Sequence, residues 1–192
     1  MTATQRFATA ELLEEYRHSP IDRFCGLKVV KGLIEMKRYY IAYGSNLNVG
    51  QMKYRCPKAK IVGTAVLENN TLYFRGSKTG SYLTIEPEIG ASVPVAIWEI
   101  TPTDELSLDR YEGYPTFYYK YNYTLDVTSL DKKKVEKLDC FAYIMRTDAP
   151  VGLPTLQYVQ TCLEGYRTFG FDEKILINTV ERMRKILWNR KK

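Results

Sequence analysis

Histidine is almost missing from this chain of 192 residues, where His18 stands alone. Zinc sites built on paired histidines, two-histidine facial triads and most Ser-His or Cys-His relays have only that residue to draw on, far out in a polar N-terminal stretch. Cysteine is scarce as well. Cys25, Cys56, Cys140 and Cys162 show no C-x-x-C spacing and no histidine to activate them, which predicts reduced, mostly buried thiols. No stretch approaches the roughly 18 uninterrupted apolar residues of a membrane helix, and residues 1–10 lack the basic segment and apolar run of a secretory signal. The expectation is a cytoplasmic protein with no membrane partner, no metal and no cofactor.

What is present suits one folded domain. Hydrophobic residues make up 45% and charged residues 26%, enough apolar side chain for a core and too much for a disordered chain. The formal net charge is +6, but residues 181–192 hold six basic residues and one acidic residue, so that tail carries +5 and the body is almost neutral. A nucleic-acid groove spreads its charge through the fold, so nucleic acid is not the expected partner. The tail reads instead as a solvated helix end whose cations complement its own dipole.

Residues 9–17 read as a short helix, and residues 1–35 as an appendage before a domain of residues 36–192. A β-rich run, Tyr39-Tyr40-Ile41-Ala42-Tyr43, leads into the turn Gly44-Ser45-Asn46, and Asn48 can cap a helix holding Met52 and Tyr54 that ends before Pro57. Strands are expected over 61–66, 71–74, 82–85 and 93–100, punctuated by Asn69-Asn70, Gly76, Gly80 and Gly90. Thr101 as cap, Pro102 at the first helical position and Asp104 three residues past the cap predict a helix stopped by Gly113. Strands over 117–125 and 140–145 follow, joined by the charged stretch 131–137. Two helices complete the chain: one with the stripe Leu156, Val159, Leu163 and Tyr166, and one capped by Asp172 with Leu176, Val180, Met183 and Leu187. Strands first and helices later indicate an α+β fold. The last stripe, with Trp188 beside it, faces either the core, the favoured reading, or a second subunit; the oligomeric state is not legible.

Two places carry chemistry. The Tyr43-Gly44-Ser45-Asn46 turn puts a small residue and a helix start side by side, which suits a bound carboxylate or, equally, a plain turn in which Ser45 and Asn46 bond their own backbone. Glu112 ends a helix, where the dipole disfavours an anion, and walls from Tyr111, Tyr114 and Phe117 would desolvate it. Both effects raise a glutamate toward the range useful for proton transfer, unless it is simply exposed at a frayed end. The 16 tyrosines include Tyr43, Tyr118, Tyr119, Tyr143 and Tyr158 near these turns.

Tyr40-Ile41-Ala42-Tyr43-Gly44-Ser45-Asn46-Leu47, followed by Leu108-Asp109-Arg110-Tyr111-Glu112-Gly113, resembles the γ-glutamylcyclotransferase superfamily in its Y-G-S-N branch. Ala142-Tyr143-Ile144-Met145 and the segment from Pro154 to Tyr158 are similar to the family's later strand and the helix start that closes its pocket. The resemblance covers residues 39–170. It implies a small mixed β-barrel, closed or nearly so, flanked by α-helices, and a γ-glutamyl group bound by Tyr40, Ile41, Ala42, Tyr43, Gly44, Ser45 and Asn46. It further implies Glu112 as acid/base, Tyr119 as the tyrosine seven residues beyond it (Tyr118 if the register slips by one) and Tyr158 as the pocket tyrosine.

The chemistry needs no metal, histidine or covalent nucleophile, because the substrate's own α-amine attacks its γ-carbonyl to close 5-oxoproline. The Y-G-S-N form argues against the glutathione-specific branch. Free γ-glutamyl amino acids, γ-glutamyl-amines and a γ-glutamyl cap on a biosynthetic intermediate stay open. So does a non-enzymatic module that binds γ-glutamyl ligands, or an acidic partner through the cationic tail.

Overall fold

The computed structural model describes residues 37–77 and 80–190. The expected helix over 9–17, the appendage 1–35, His18 and Cys25 lie outside them. Within them run strand β1 (Arg38–Ala42), a 3-10 turn (Ser45–Leu47), helix α1 (Val49–Arg55), strands β2 (Lys60–Ser77) and β3 (Gly80–Ile100), and helix α2 (Pro102–Glu112). Strands β4 (Tyr118–Ser129) and β5 (Val135–Met145) and helices α3 (Leu156–Phe169) and α4 (Glu173–Asn189) follow. The strands close into a barrel in the order β1-β3-β2-β4-β5. The fold is α+β, as the sequence pattern predicts.

Two long antiparallel hairpins, β2–β3 and β4–β5, make most of the wall. The closing seams are short: β2 meets β4 at Gly63↔Ser129 and Thr64↔Thr128, and β1 meets β5 in parallel at Tyr39↔Cys140 and Tyr40↔Phe141. The four strands expected between 61 and 100 are only two. Gly76 and Gly80 do stand where β2 ends and β3 begins, but Asn69 and Gly90 sit inside the ladder as an irregularity, both with positive φ (55° and 81°), and Gly90 N donates to Asn69 Oδ1 at 3.0 Å. A bulge of this kind bends a strand without ending it, which lets one long hairpin wrap a barrel.

Helix α2 is fixed more by charge than by an apolar stripe. Its capping box has Asp104 N donating to Thr101 Oγ1 at 3.2 Å and Thr101 N donating to Asp104 Oδ2 at 3.0 Å. Lys120 of β4 pairs with Glu105 at 2.6 Å and Asp109 at 2.7 Å on its flank, and Arg38 pairs with Glu105 at 3.1 Å. Leu108 is its buried apolar anchor. The helix stops at Gly113, whose φ of 64° belongs to the left-handed region that glycine enters freely.

Helix α3 lies directly on the 3-10 turn. A Cβ at Gly165 would stand 2.3 Å from Leu47 Cβ, so glycine is what permits this approach. Cys162 and Tyr166 are buried with it, whereas Leu156, placed in the stripe by its spacing, is 74% exposed at the first helical position. On α4, Leu176 and Met183 are buried, Val180 and Leu187 are partly so, and Trp188 is 65% exposed. Cys56, Cys140 and Cys162 are free, buried thiols.

The tail reading needs a correction at Arg182. Its guanidinium lies 4.7 Å over the Tyr73 ring, donates to Thr71 Oγ1 at 3.0 Å and to the Leu72 carbonyl, and pairs with Glu88 at 3.2 Å. It pins α4 to β2, leaving Arg184, Lys185 and Arg190 exposed. No described helix is long and apolar enough to cross a membrane.

Candidate active site

β1 delivers Tyr40 and Tyr43 to one end of the barrel, and the chain then tightens into the 3-10 turn, with Leu47 N donating to the Gly44 carbonyl at 2.9 Å. Asn48 caps α1 by accepting from Gln51 N at 3.0 Å. From the other side, α2 ends with Glu112. These elements border a small, partly open cavity of about 30 Å³ that Gly44, Ser45, Asn46 and Glu112 line together with five tyrosines.

Asn46 is the hinge of the arrangement. Its Nδ2 donates to Glu112 Oε1 at 3.0 Å and to the Tyr40 hydroxyl at 2.8 Å, while its Oδ1 accepts from Arg55 Nη1. Arg55 also donates to Ser45 Oγ at 3.4 Å, to Gln51 Oε1 at 2.5 Å and to the Tyr111 hydroxyl at 2.6 Å, and its guanidinium lies 3.6 Å from the Tyr111 ring centre. One guanidinium therefore orients the amide that orients the carboxylate.

Burial pushes the Glu112 carboxyl up to about 7, while the Arg55 charge and the Asn46 hydrogen bond pull it the other way. The walls that desolvate it differ from those expected. Tyr40, Tyr43, Tyr118, Tyr143 and Tyr158 line the cavity; Tyr111 and Phe117 border an outer cleft, and Tyr114 packs against Tyr143 with its ring 4.7 Å from Lys120 Nζ.

Most tyrosine hydroxyls are held by the fold. Tyr43 donates to the Tyr143 carbonyl, Tyr118 to the Leu83 carbonyl at 3.1 Å, and Tyr143 to Asp109 Oδ1 at 2.7 Å, while Tyr158 accepts from Leu83 N at 3.2 Å. Burial pushes the hydroxyls of Tyr40, Tyr43, Tyr118 and Tyr158 well above the ordinary tyrosine range, so they stay neutral.

Of the residues expected to bind substrate, Tyr40, Tyr43, Gly44, Ser45, Asn46 and Tyr158 line the cavity. Ile41 and Ala42 do not. Both are fully buried core residues of β1, between Tyr40 and Tyr43, the two residues of this run that line the cavity. Tyr119 does not either: it is 40% exposed, and Tyr118, 7% exposed, takes the cavity position. Neighbours on a strand face opposite sides, so a register difference of one residue exchanges inside for outside.

Arg55, Asp109 and Leu83 were not foreseen as parts of the site. Arg55 was legible in principle, since it shares a face of α1 with Gln51 one turn earlier and α1 is bounded by Asn48 and Pro57. Leu83 serves through its backbone, which leaves no trace in residue type.

The outer cleft, about 240 Å³, continues from the cavity and shares Ser45, Glu112, Tyr118 and Tyr158 with it. Carboxylate, amide and hydroxyl groups thus meet at the inner end of an aromatic channel. A carboxyl near 7 can take a proton and return it at neutral pH.

The fold has close counterparts. A solved structure named gamma-glutamyl cyclotransferase is 24% identical over 78% of this chain and 87% of its own, with a TM-score of 0.64. An uncharacterized protein from Homo sapiens is 25% identical over 78% of this chain and 88% of its own, with a TM-score of 0.61. A yeast gamma-glutamyl cyclotransferase specific to glutathione is 13% identical over 78% of this chain and 96% of its own, at a TM-score of 0.53, a likeness of fold. No curated protein sequence matches the chain. The model of the gamma-glutamyl cyclotransferase, AIG2-like family matches residues 40–162, from the Tyr40 that bonds Asn46 to the Cys162 beneath the loop, and the chain belongs to that family.

Proposed function

We propose that this protein cyclises a γ-glutamyl amide to 5-oxoproline and releases an amine, with Glu112 as the single acid/base. The observation that carries this reading is the Glu112 carboxyl, raised to about 7 and aimed into the cavity by Asn46, with the Gly44–Asn46 turn opposite. Family membership supports it, and residues 36–192 form the working domain in this reading, with 1–35 as an appendage.

The substrate binds with its α-ammonium and γ-carbonyl beside Glu112, where the cavity opens into the cleft. Carboxylate Glu112 takes a proton from the substrate α-ammonium, the freed amine attacks the γ-carbonyl, and a carbon–nitrogen bond closes the five-membered ring. The tetrahedral intermediate then collapses: Glu112 gives its proton to the departing nitrogen and the amide bond breaks, while the extra proton on the ring nitrogen passes to the released amine, which leaves as an ammonium with Glu112 again a carboxylate. N–H groups of Gly44 and Ser45 hold substrate oxygens and fix the curled conformer. Tyr118 and Tyr158 wall the junction between cavity and cleft. Every atom and proton balances without a cofactor.

The test incubates wild type and Glu112→Gln with a panel of γ-glutamyl amino acids and γ-glutamyl-amines and measures 5-oxoproline and released amine by mass spectrometry. Equimolar products from wild type and none from the variant support the assignment. Full activity in Glu112→Gln overturns the role of Glu112, and binding without turnover by wild type reduces the protein to a γ-glutamyl-binding module.

A further inference from the structure

We infer that the outer cleft is the subsite for the leaving amine and is built for an aryl or arylalkyl amine that bears no carboxylate. This rests on the cyclotransferase reading and narrows its substrate class.

The first support is continuity. Ser45, Glu112, Tyr118 and Tyr158 belong to both cavity and cleft, so a γ-carbonyl held at Glu112 directs its amide substituent outward into the cleft. The second is the wall. Beyond those shared residues the cleft is lined by Tyr82, Tyr111, Phe117 and Gly113, and Tyr82 stands edge-on to Tyr158 with ring centres 5.3 Å apart. Rings in this arrangement accept another ring edge-on or offset. Phe117 is 43% exposed and Tyr111 is 50% exposed, an apolar surface that a bound ring would cover.

The third support is charge. Glu112 is the one acidic side chain lining the cleft, and no lysine or arginine lines it among the described residues. The cation beside it, Arg55, has both terminal nitrogens engaged, Nη1 with Ser45 and Asn46 and Nη2 with Gln51 and Tyr111. A carboxylate on the leaving group would sit unpaired among aromatic faces and near Glu112, a costly placement. A second ammonium would find only Glu112, which is already engaged with the reacting amine. A ring without charge meets neither objection.

The full chain is assayed for 5-oxoproline with γ-glutamyl-phenethylamide, γ-glutamyl-phenylalanine, γ-glutamyl-methylamide and γ-glutamyl-putrescine. The first two share a ring and differ by one carboxylate; the third lacks the ring; the fourth carries a second ammonium. The expected result is kcat/KM for phenethylamide about tenfold or more above each of the others. Phe117→Ala is expected to lower kcat/KM for phenethylamide about fivefold more than for methylamide, mainly through KM. Turnover of phenylalanine or putrescine amides at or above the phenethylamide rate, or equal effects of Phe117→Ala on both amides, overturns the inference while leaving cyclotransferase activity in place. No 5-oxoproline from any probe overturns both.

Discussion

At its N-terminus, α2 carries Asp104 and Glu105 in the first turn, where backbone N–H groups welcome negative charge, and Thr101 and Asp104 satisfy each other's backbone donors. At its C-terminus the same helix carries Glu112, where the dipole favours cations, and encloses it among tyrosines. The first end follows the rules for stability and the second breaks them. A carboxylate at the first end lowers the energy of the fold; at the second it is held at a cost, with its carboxyl raised to about 7, and the proposed reaction uses it there as the proton carrier. The difference supports the proposed site without reference to any substrate.

The strongest way to break this comparison is Glu112→Gln. Loss of the proton carrier is expected to lower kcat by about 10³-fold or more, measured as 5-oxoproline release. Stability should move the opposite way. The carboxyl holds its proton more tightly folded, at about 7, than at the ordinary value of 4.5. Its stabilising contribution is therefore fully present below about pH 4.5 and is lost as pH rises through about 7. Glutamine cannot ionise and can still accept from Asn46, so urea unfolding should show the variant more stable than wild type at pH 8, by roughly 2 kcal/mol, and indistinguishable near pH 4. Equal stability at pH 8 would show that the enclosed carboxylate costs nothing.

Arg55 sharpens the same point from outside the cavity. Its charge pulls the Glu112 carboxyl down and its fork orients Asn46. Arg55→Met should shift the rising limb of kcat/KM from about 7 toward higher pH and lower activity at pH 7 about tenfold. Arg55→Lys restores charge without the fork, so it should return the limb toward wild type while kcat stays low. An unmoved pH profile in Arg55→Met would remove Arg55 from the proton chemistry.

At the stabilising end, Thr101→Ala removes a cap and should cost about 1 kcal/mol in thermal or urea unfolding, with kcat unaltered below the melting range. A change in kcat larger than about twofold would mean the two ends of α2 are coupled through the helix.

Much of this was legible in the chain. Caps, stops and periodicity located α2, α3 and α4, because Thr101, Asp172 and Gly113 act locally, whatever the fold around them. Asn69 and Gly90 misled because the same positive φ that ends a strand also serves a bulge. The motif residues Gly44, Ser45, Asn46 and Glu112 stand in one cavity although 66 residues separate Asn46 from Glu112. The Arg55 fork, the Leu83 backbone contacts and the side of β4 that faces inward are tertiary facts. They depend on how the barrel closes, and no local pattern encodes them.

The smallest expected effect settles the β4 register. Tyr118 and Tyr119 differ by one position, and only Tyr118 reaches the cavity, where its hydroxyl donates to the Leu83 carbonyl. Tyr118→Phe leaves that buried carbonyl without its donor and frees the ring, so kcat/KM should fall severalfold, with about 1 kcal/mol lost in unfolding. Tyr119→Phe alters a half-exposed hydroxyl on the opposite face of the strand, and both quantities should stay within error of wild type. Measured together, the pair separates a positional effect from a general need for tyrosine on β4. If Tyr119→Phe were the damaging change, β4 would run one residue out of register in the working protein, and the inner wall of the site would have to be redrawn around Tyr119.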